Sequence, residues 1–222
     1  MSNRSFEVFL YQKAMAAMGF YTSKQSGILG PKTKEAYRKA KAVWDSQLAA
    51  GEANTNNKGF RVAPSSMANG IVSVASREVG TKEEGHNSGL RITLYQESTW
   101  LKPAPWPWCA AFVSWVVKEA CSNRSLPSDF ERPRTAGAWD FERWARDDAG
   151  NSVSLIKPCN EPLAGDIVCY KFSHIGIIES VEGSTLTTIE GNTGESGGRE
   201  GDGVWRKSRR LDQARSLIRF KF

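Results

Sequence analysis

Cys109, His174, Glu190 and Asn192 follow one another along the chain as a thiol, an imidazole, a carboxylate and an amide. A thiol attacks as its thiolate, a nearby imidazole can hold the proton, and a carboxylate or amide can fix the imidazole's tautomer and stabilise its charged form. The supply of reactive residues bounds the alternatives, because the sequence holds 2 His and 4 Cys. A three-histidine zinc site is excluded, and a two-histidine site needs both His86 and His174. Cys109, Cys121, Cys159 and Cys169 form no Cys-x-x-Cys pair, which excludes a zinc ribbon and a thioredoxin-type motif. No Asp-x-Asp-x-Asp-Gly calcium loop is present, so neither a metal nor another cofactor is expected. Thiols this sparse make no disulfide scaffold and are expected to be free.

The elements that must position these groups can be read from periodicity. Pro105 and Pro107 impose an extended approach, and Trp108 to Val117 is apolar nearly all round, which predicts a buried helix with Cys109 in its first turn. The unsatisfied amides and positive dipole end at that position favour a thiolate. Read alone, a cysteine on a buried helix is more often a small core residue. Downstream, Pro162 to Asp166 reads as a turn, Ile167 to Tyr170 as a short buried strand, Lys171 to Ser173 as a hairpin connection and His174 to Ile178 as the return strand. Thr185 to Asn192 reads as the next strand, and its period of two puts Leu186, Thr188, Glu190 and Asn192 on one face. Upstream, Ile71, Val74, Ala75 and Val79 make a helical stripe ended by Gly80, and Ile92 with Tyr95 resumes helical spacing after the loop Gly85 to Gly89. The end of the chain, from Leu217 to Phe222, alternates as a final strand with cationic solvent positions.

Taken jointly, a helix-start cysteine, a strand-borne histidine, then a glutamate and an asparagine two apart have the chain order of a papain-like cysteine hydrolase. The stretch resembles more closely the CHAP family of cysteine, histidine-dependent amidohydrolases and peptidases. The residues that carry the resemblance are Trp108-Cys109-Ala110-Ala111-Phe112-Val113, Gly165-Asp166-Ile167-Val168, His174-Ile175-Gly176-Ile177 and Ile189-Glu190-Gly191-Asn192, with Glu84-Gly85-His86-Asn87 before them and Thr135 to Trp139 between. The resemblance covers residues 68–222 and implies an α+β fold, N-terminal helices plus an antiparallel sheet. It implies Cys109 as nucleophile, His174 as the base that keeps it ionised, and Glu190 or Asn192 as the residue that orients His174. Trp108, His86 and Asn87 are the candidate substrate contacts.

Residues 1–67 carry 10 Lys/Arg against 4 Asp/Glu, and the remainder carries 20 against 20, so the whole net charge of +6 sits in the first third. That asymmetry predicts a separate module with a polyanionic partner. Residues 1–47 read as a small all-α helical module, and residues 48–67 as a polar linker that does not repay its ordering entropy. Gln12, Met15 and Gly19, then Gly27 to Thr33 and Ala36, resemble the peptidoglycan-binding domain 1 family, departing from it at Ser26 and at Ala40-Lys41. With that resemblance the expected partners are bacterial peptidoglycan and an anionic cell envelope, not nucleic acid.

Together the resemblances imply a peptidoglycan hydrolase that cuts an amide bond, as N-acetylmuramoyl-L-alanine amidase or as stem-peptide or cross-link endopeptidase. No apolar run is long enough to span a membrane and no signal peptide is visible. The expectation is therefore a monomeric phage endolysin, held in the host cytoplasm until a holin releases it. The alternatives are a secreted antibacterial cysteine amidase and a wall-binding virion protein with an inactive catalytic domain.

Overall fold

The computed structural model describes residues 65–122, 124–158, 161–196 and 200–222, together with residues 12, 16, 22–24, 31, 32, 35, 36 and 39. The chain divides into two units, Met1–Lys58 and Gly59–Phe222. In the first, Gln12, Ala16, Pro31, Lys32, Glu35, Ala36 and Lys39 are helical. The rest of the expected wall-binding module, and most of the linker, lie outside the described residues.

In the second unit four helices precede or interrupt a sheet of six strands. Helix α1 (Ser66–Glu78) begins two residues before the expected domain start, because Ser65 caps it: its Oγ accepts the Ala68 N–H at 3.2 Å. Helix α2 (Leu90–Glu97) follows the glycine-rich loop, α3 (Cys109–Cys121) is the apolar helix, and α4 (Asp140–Asp147) leads into the sheet. Every apolar residue of α3 from Cys109 to Ala120 is buried, which explains why its apolar surface is not confined to one stripe: α1, α2, β3 and β4 surround it.

The strands are β1 (Val153–Ile156), β2 (Ile167–Tyr170), β3 (Ile175–Glu182), β4 (Thr185–Thr193), β5 (Gly203–Arg210) and β6 (Ala214–Phe220), all antiparallel in the order β1-β6-β2-β3-β4-β5. The architecture is thus α+β. Strand β2 is buried at every position because β6 and β3 flank it and both of its faces are covered. One face of the sheet contributes Ile175, Ile177 and Ile189 to the large core around α3. The other carries a smaller cluster that includes Val168, Tyr170, Ile178 and Leu186. Burying each such aliphatic or aromatic side chain contributes roughly 1.5–3 kcal/mol.

Two of the sequence motifs are structural. Gly165 has φ +87°, and a Cβ there would stand 2.4 Å from Cβ of Ala68, so glycine lets the turn press against α1. Asp166 takes a bidentate grip from Arg219 of β6, at 2.8 and 2.7 Å, and accepts the Leu163 N–H at 2.9 Å. Between β2 and β3, Lys171-Phe172-Ser173 forms the expected tight connection, with Ser173 in the left-handed region at φ +54° and the Tyr170 N–H bonded to the His174 carbonyl at 2.9 Å. Among the described residues Cys109, Cys121 and Cys169 are free thiols; Cys159 lies outside them.

Candidate active site

Cys109 opens α3, where the first amides of a helix have no partner within it. It is 8% exposed, and that remaining surface faces a cavity of about 370 Å³. The cavity walls are Trp100, Leu101, Trp106 and Pro107 on the approach to the helix, Ala136 to Ala138 and Asp140 on the segment before α4, and Ser173 and Glu200. Trp100 is 67% exposed, so a large aromatic face stands open to whatever enters. The segment Thr135 to Trp139, singled out from sequence, therefore shapes the wall beside the thiol.

His174 is fully buried immediately before β3, and Nε2 stands 3.1 Å from Oε2 of Glu190. Among the described residues neither ring nitrogen meets an aligned hydrogen-bond partner, as is common in catalytic sites before substrate arrives. Burial alone would lower the His174 pKa, but the close approach and charge of Cys109 and Glu190 outweigh it and raise the value from 6.5 to about 9. The thiol and the carboxylate thus both act on the imidazole. Tyr170, Phe172 and His174 form a stack, with interplanar angles of 10° to 15°, which fixes the plane of the ring.

Glu190 is the best-anchored charge in the site. Oε1 accepts from Thr188 Oγ1 at 2.6 Å, Tyr170 Oη at 2.7 Å and Arg209 Nε at 2.9 Å, while Oε2 accepts from Arg209 Nη2 at 2.6 Å. Burial would raise its pKa; the Arg209 hydrogen bonds and the nearby His174 charge prevail and hold it down at about 2. Arg209 in turn lies 5.4 Å over the rings of Tyr170 and of Phe172. Charge along this line alternates from imidazole to carboxylate to guanidinium. Gly176 makes room for it, since a Cβ there would come within 2.7 Å of Cγ of Glu190.

Between the two candidate partners of His174, it is Glu190 that faces the ring. Asn192 does not share its direction, because the β4–β5 register shifts between Glu190 and Thr193 and Asn192 adopts φ +55°. The period of two that put both on one face ends at that irregularity. Asn192 instead accepts the Trp108 N–H at 3.1 Å and donates to Asn87 Oδ1 at 3.0 Å and to the Gly201 carbonyl at 3.1 Å.

The expected substrate contacts need correction. Trp108 is fully buried, packs its ring 5.5 Å from Tyr95 and donates its indole N–H to Glu83 at 3.1 Å, so no substrate reaches it. Asn87 is buried and its amide is engaged with Asn192. His86 is exposed in the same loop, 3.2 Å from the Asn87 amide, and is not among the cavity walls. The residues that sequence reasoning missed are Trp100 on the cavity wall, Arg209, Tyr170 and Thr188 around Glu190, and Glu83 beneath Trp108. The signal for Arg209 was an arginine-rich strand following one that carries a glutamate.

Among the described residues no group of three or more His, Cys, Asp or Glu is placed to hold a metal ion, and no helix is long and apolar enough to cross a membrane. The family model of the CHAP domain matches residues 101–192, the stretch that runs from the cavity wall through Cys109, His174 and Glu190 to Asn192. Among solved structures the chain is similar to the crystal structure of Ly7917, with 17% identity and a TM-score of 0.41 over 69% of this chain and 62% of that one. It is similar also to the crystal structure of Ly7917 with the hydrolyzing product of MDP, with 17% identity and a TM-score of 0.42 over 69% and 63% of the two chains. The chain thus spans less than two thirds of that protein's length. No curated protein matches it.

Proposed function

We propose that this protein is a peptidoglycan hydrolase that cleaves an amide bond through a covalent Cys109 intermediate. The observation that carries the reading is the coupling of Cys109, at a helix start and open to a cavity, with a buried His174 whose pKa is raised to about 9 by Cys109 and Glu190 together. A CHAP domain at these residues supports peptidoglycan as the substrate class.

The geometry divides the work as follows. Cys109 Sγ attacks the carbonyl carbon, and the charge that develops on the carbonyl oxygen meets the amide of Cys109 at the head of α3, one of the first-turn amides that have no partner within a helix. His174, as imidazolium, gives its proton to the leaving amine, so the C–N bond breaks and a thioester remains. A water molecule, deprotonated by the now neutral His174, attacks the thioester; the C–S bond breaks, the carboxylic acid leaves, and the Cys109 thiolate is restored beside the His174 imidazolium. Glu190 holds the imidazole and stabilises its charge without itself taking the proton, consistent with a carboxyl held at about 2.

Digestion of purified peptidoglycan followed by mass spectrometry of the new ends tests the reading. Free N-acetylmuramic acid ends identify an amidase and new stem-peptide amines an endopeptidase; reducing sugar ends contradict the cysteine mechanism. The Cys109→Ala variant is expected to lose at least ~10³-fold in rate, and wall clearance at the parental rate would overturn the assignment. Retention on the wall through residues 1–47, and use as a phage endolysin, belong to the same proposal. Loss of wall binding on removal of residues 1–58 supports the first, and a neighbouring holin gene supports the second.

A further inference from the structure

Three non-glycine residues of the described chain adopt positive φ: Asn87 at +50°, Ser173 at +54° and Asn192 at +55°. Ser173 turns the chain into His174. The other two lie beside Trp108, the residue before Cys109, and their side chains bond to each other. Asn192, 1% exposed, uses its amide fully, with Oδ1 on the backbone N–H of Trp108 and Nδ2 shared between Asn87 Oδ1 and the Gly201 carbonyl. Asn87 is held from below by Glu83, whose Oε2 accepts the Asn87 N–H at 3.1 Å. The same Oε2 accepts the Trp108 indole N–H, also at 3.1 Å. Trp108, the residue that hands the chain to Cys109, is thus gripped at its backbone by Asn192 and at its ring by Glu83, and Asn87 ties the two grips together.

No side chain caps α3, and the residue in the cap position is Trp108 itself, at φ −118° and ψ 14°. The direction of the Cys109 amide and of its Cα–Cβ bond therefore depends on what fixes Trp108. We infer that Asn192, Asn87 and Glu83 are positioning residues for the nucleophile: they aim Cys109 and its amide through Trp108, and the orientation of His174 is left to Glu190. The assignment rests on the Cys109 mechanism proposed above. It places Asn192 in a role separate from acid–base chemistry although it lies two residues from Glu190 in sequence. Left-handed backbone at both asparagines is a strain that their side-chain bonds hold in place, since asparagine tolerates this region but does not prefer it.

Glycine at either position accepts the backbone conformation without strain, so Asn192→Gly and Asn87→Gly remove the amide alone. The test pairs steady-state cleavage of a soluble peptidoglycan fragment with the pH dependence of Cys109 alkylation by iodoacetamide, which needs the thiolate but no aligned amide. Asn192→Gly is expected to lower kcat by about ten- to a hundredfold, the scale of a misplacement near one ångström, with KM changed less than threefold (roughly, as expected for lost alignment rather than lost binding). The alkylation pKa and the limbs of the pH profile stay at their parental positions. Asn87→Gly shows the same pattern more weakly, and Glu83→Gln, which keeps an acceptor, retains activity that Glu83→Ala loses. A shifted alkylation pKa in Asn192→Gly overturns the inference, because it puts Asn192 on the imidazole. An unchanged kcat in Asn192→Gly overturns it also, and if that variant does not fold, Asn87→Gly decides by the same two readouts. Failure of the underlying reading looks different: Cys109→Ala retains cleavage.

Discussion

The two sides of Cys109 are built by different chemistry. On one side a line of charge runs from His174 through Glu190 to Arg209, fully buried at the imidazole and carboxylate, with the pKa values of both held far from their ordinary positions. On the other, amides and an indole connect Trp108 to Asn192, Asn87 and Glu83. The first side sets the protonation of the site and depends on pH; the second sets direction. Charge buried in a low-dielectric interior must be paired to be tolerated, which is why Glu190 meets Arg209, Tyr170, Thr188 and His174 at once. Neutral groups need only have their hydrogen bonds satisfied, and they spend them on the backbone that leads into the helix.

Replacing Glu190 by Gln strikes the charged side hardest. It leaves Arg209 without its bidentate acceptor and is expected to cost about 3–5 kcal/mol of stability, measured by denaturant unfolding. Because Glu190 is one of the two groups that raise His174, the variant's alkaline limb also moves to lower pH. Two glycines sharpen the contrast at smaller cost. A Cβ at Gly176 presses on Glu190, and a Cβ at Gly191 lands 2.7 Å from Phe112 and 2.8 Å from Trp108. Gly176→Ala and Gly191→Ala are each expected to lose about 1–3 kcal/mol by overpacking. The first alters the pH profile of alkylation and the second does not; identical profiles would erase the distinction between the two sides.

The smallest expected effect is the pH dependence of the parent's own stability. His174, raised in the fold from 6.5 to about 9, contributes stability that is fully present below pH 6.5 and lost as pH rises through 9. Glu190, lowered from 4.5 to about 2, contributes stability present above pH 4.5 and lost as pH falls through 2. These two groups together place the plateau between pH 4.5 and 6.5, and melting temperatures across the range check it.

Much of the charged side was legible in the sequence. The apolar run of α3, the proline approach before it and the turn signals around β2 and β3 are local, so Cys109 and His174 could be placed on their elements without tertiary information. Glu190 followed from the alternation of β4. Arg209 did not, because Trp205 to Phe222 reads in sequence as a basic tail, and only the register that sets Leu186 beside Arg209 brings that guanidinium back to Glu190. The alternation puts Asn192 on its strand but not in its direction, since a register shift and a left-handed residue are invisible to a period of two. An aromatic residue beside a nucleophile, such as Trp108, points to a substrate contact in sequence; its burial depends on Tyr95 and Glu83, which arrive from separate segments.

The central claim is that the His174 imidazole is held protonated jointly by Cys109 and Glu190. The chain has 2 His, so the imidazole signals of His86 and His174 can be assigned by a single substitution and followed by NMR across pH. The account predicts that His174 titrates near 9 in the parent and at distinctly lower pH in Cys109→Ala, where one of its two raising partners is gone. A His174 that titrates near 6.5 in the parent, or one whose titration is the same with and without the Cys109 thiol, would contradict it.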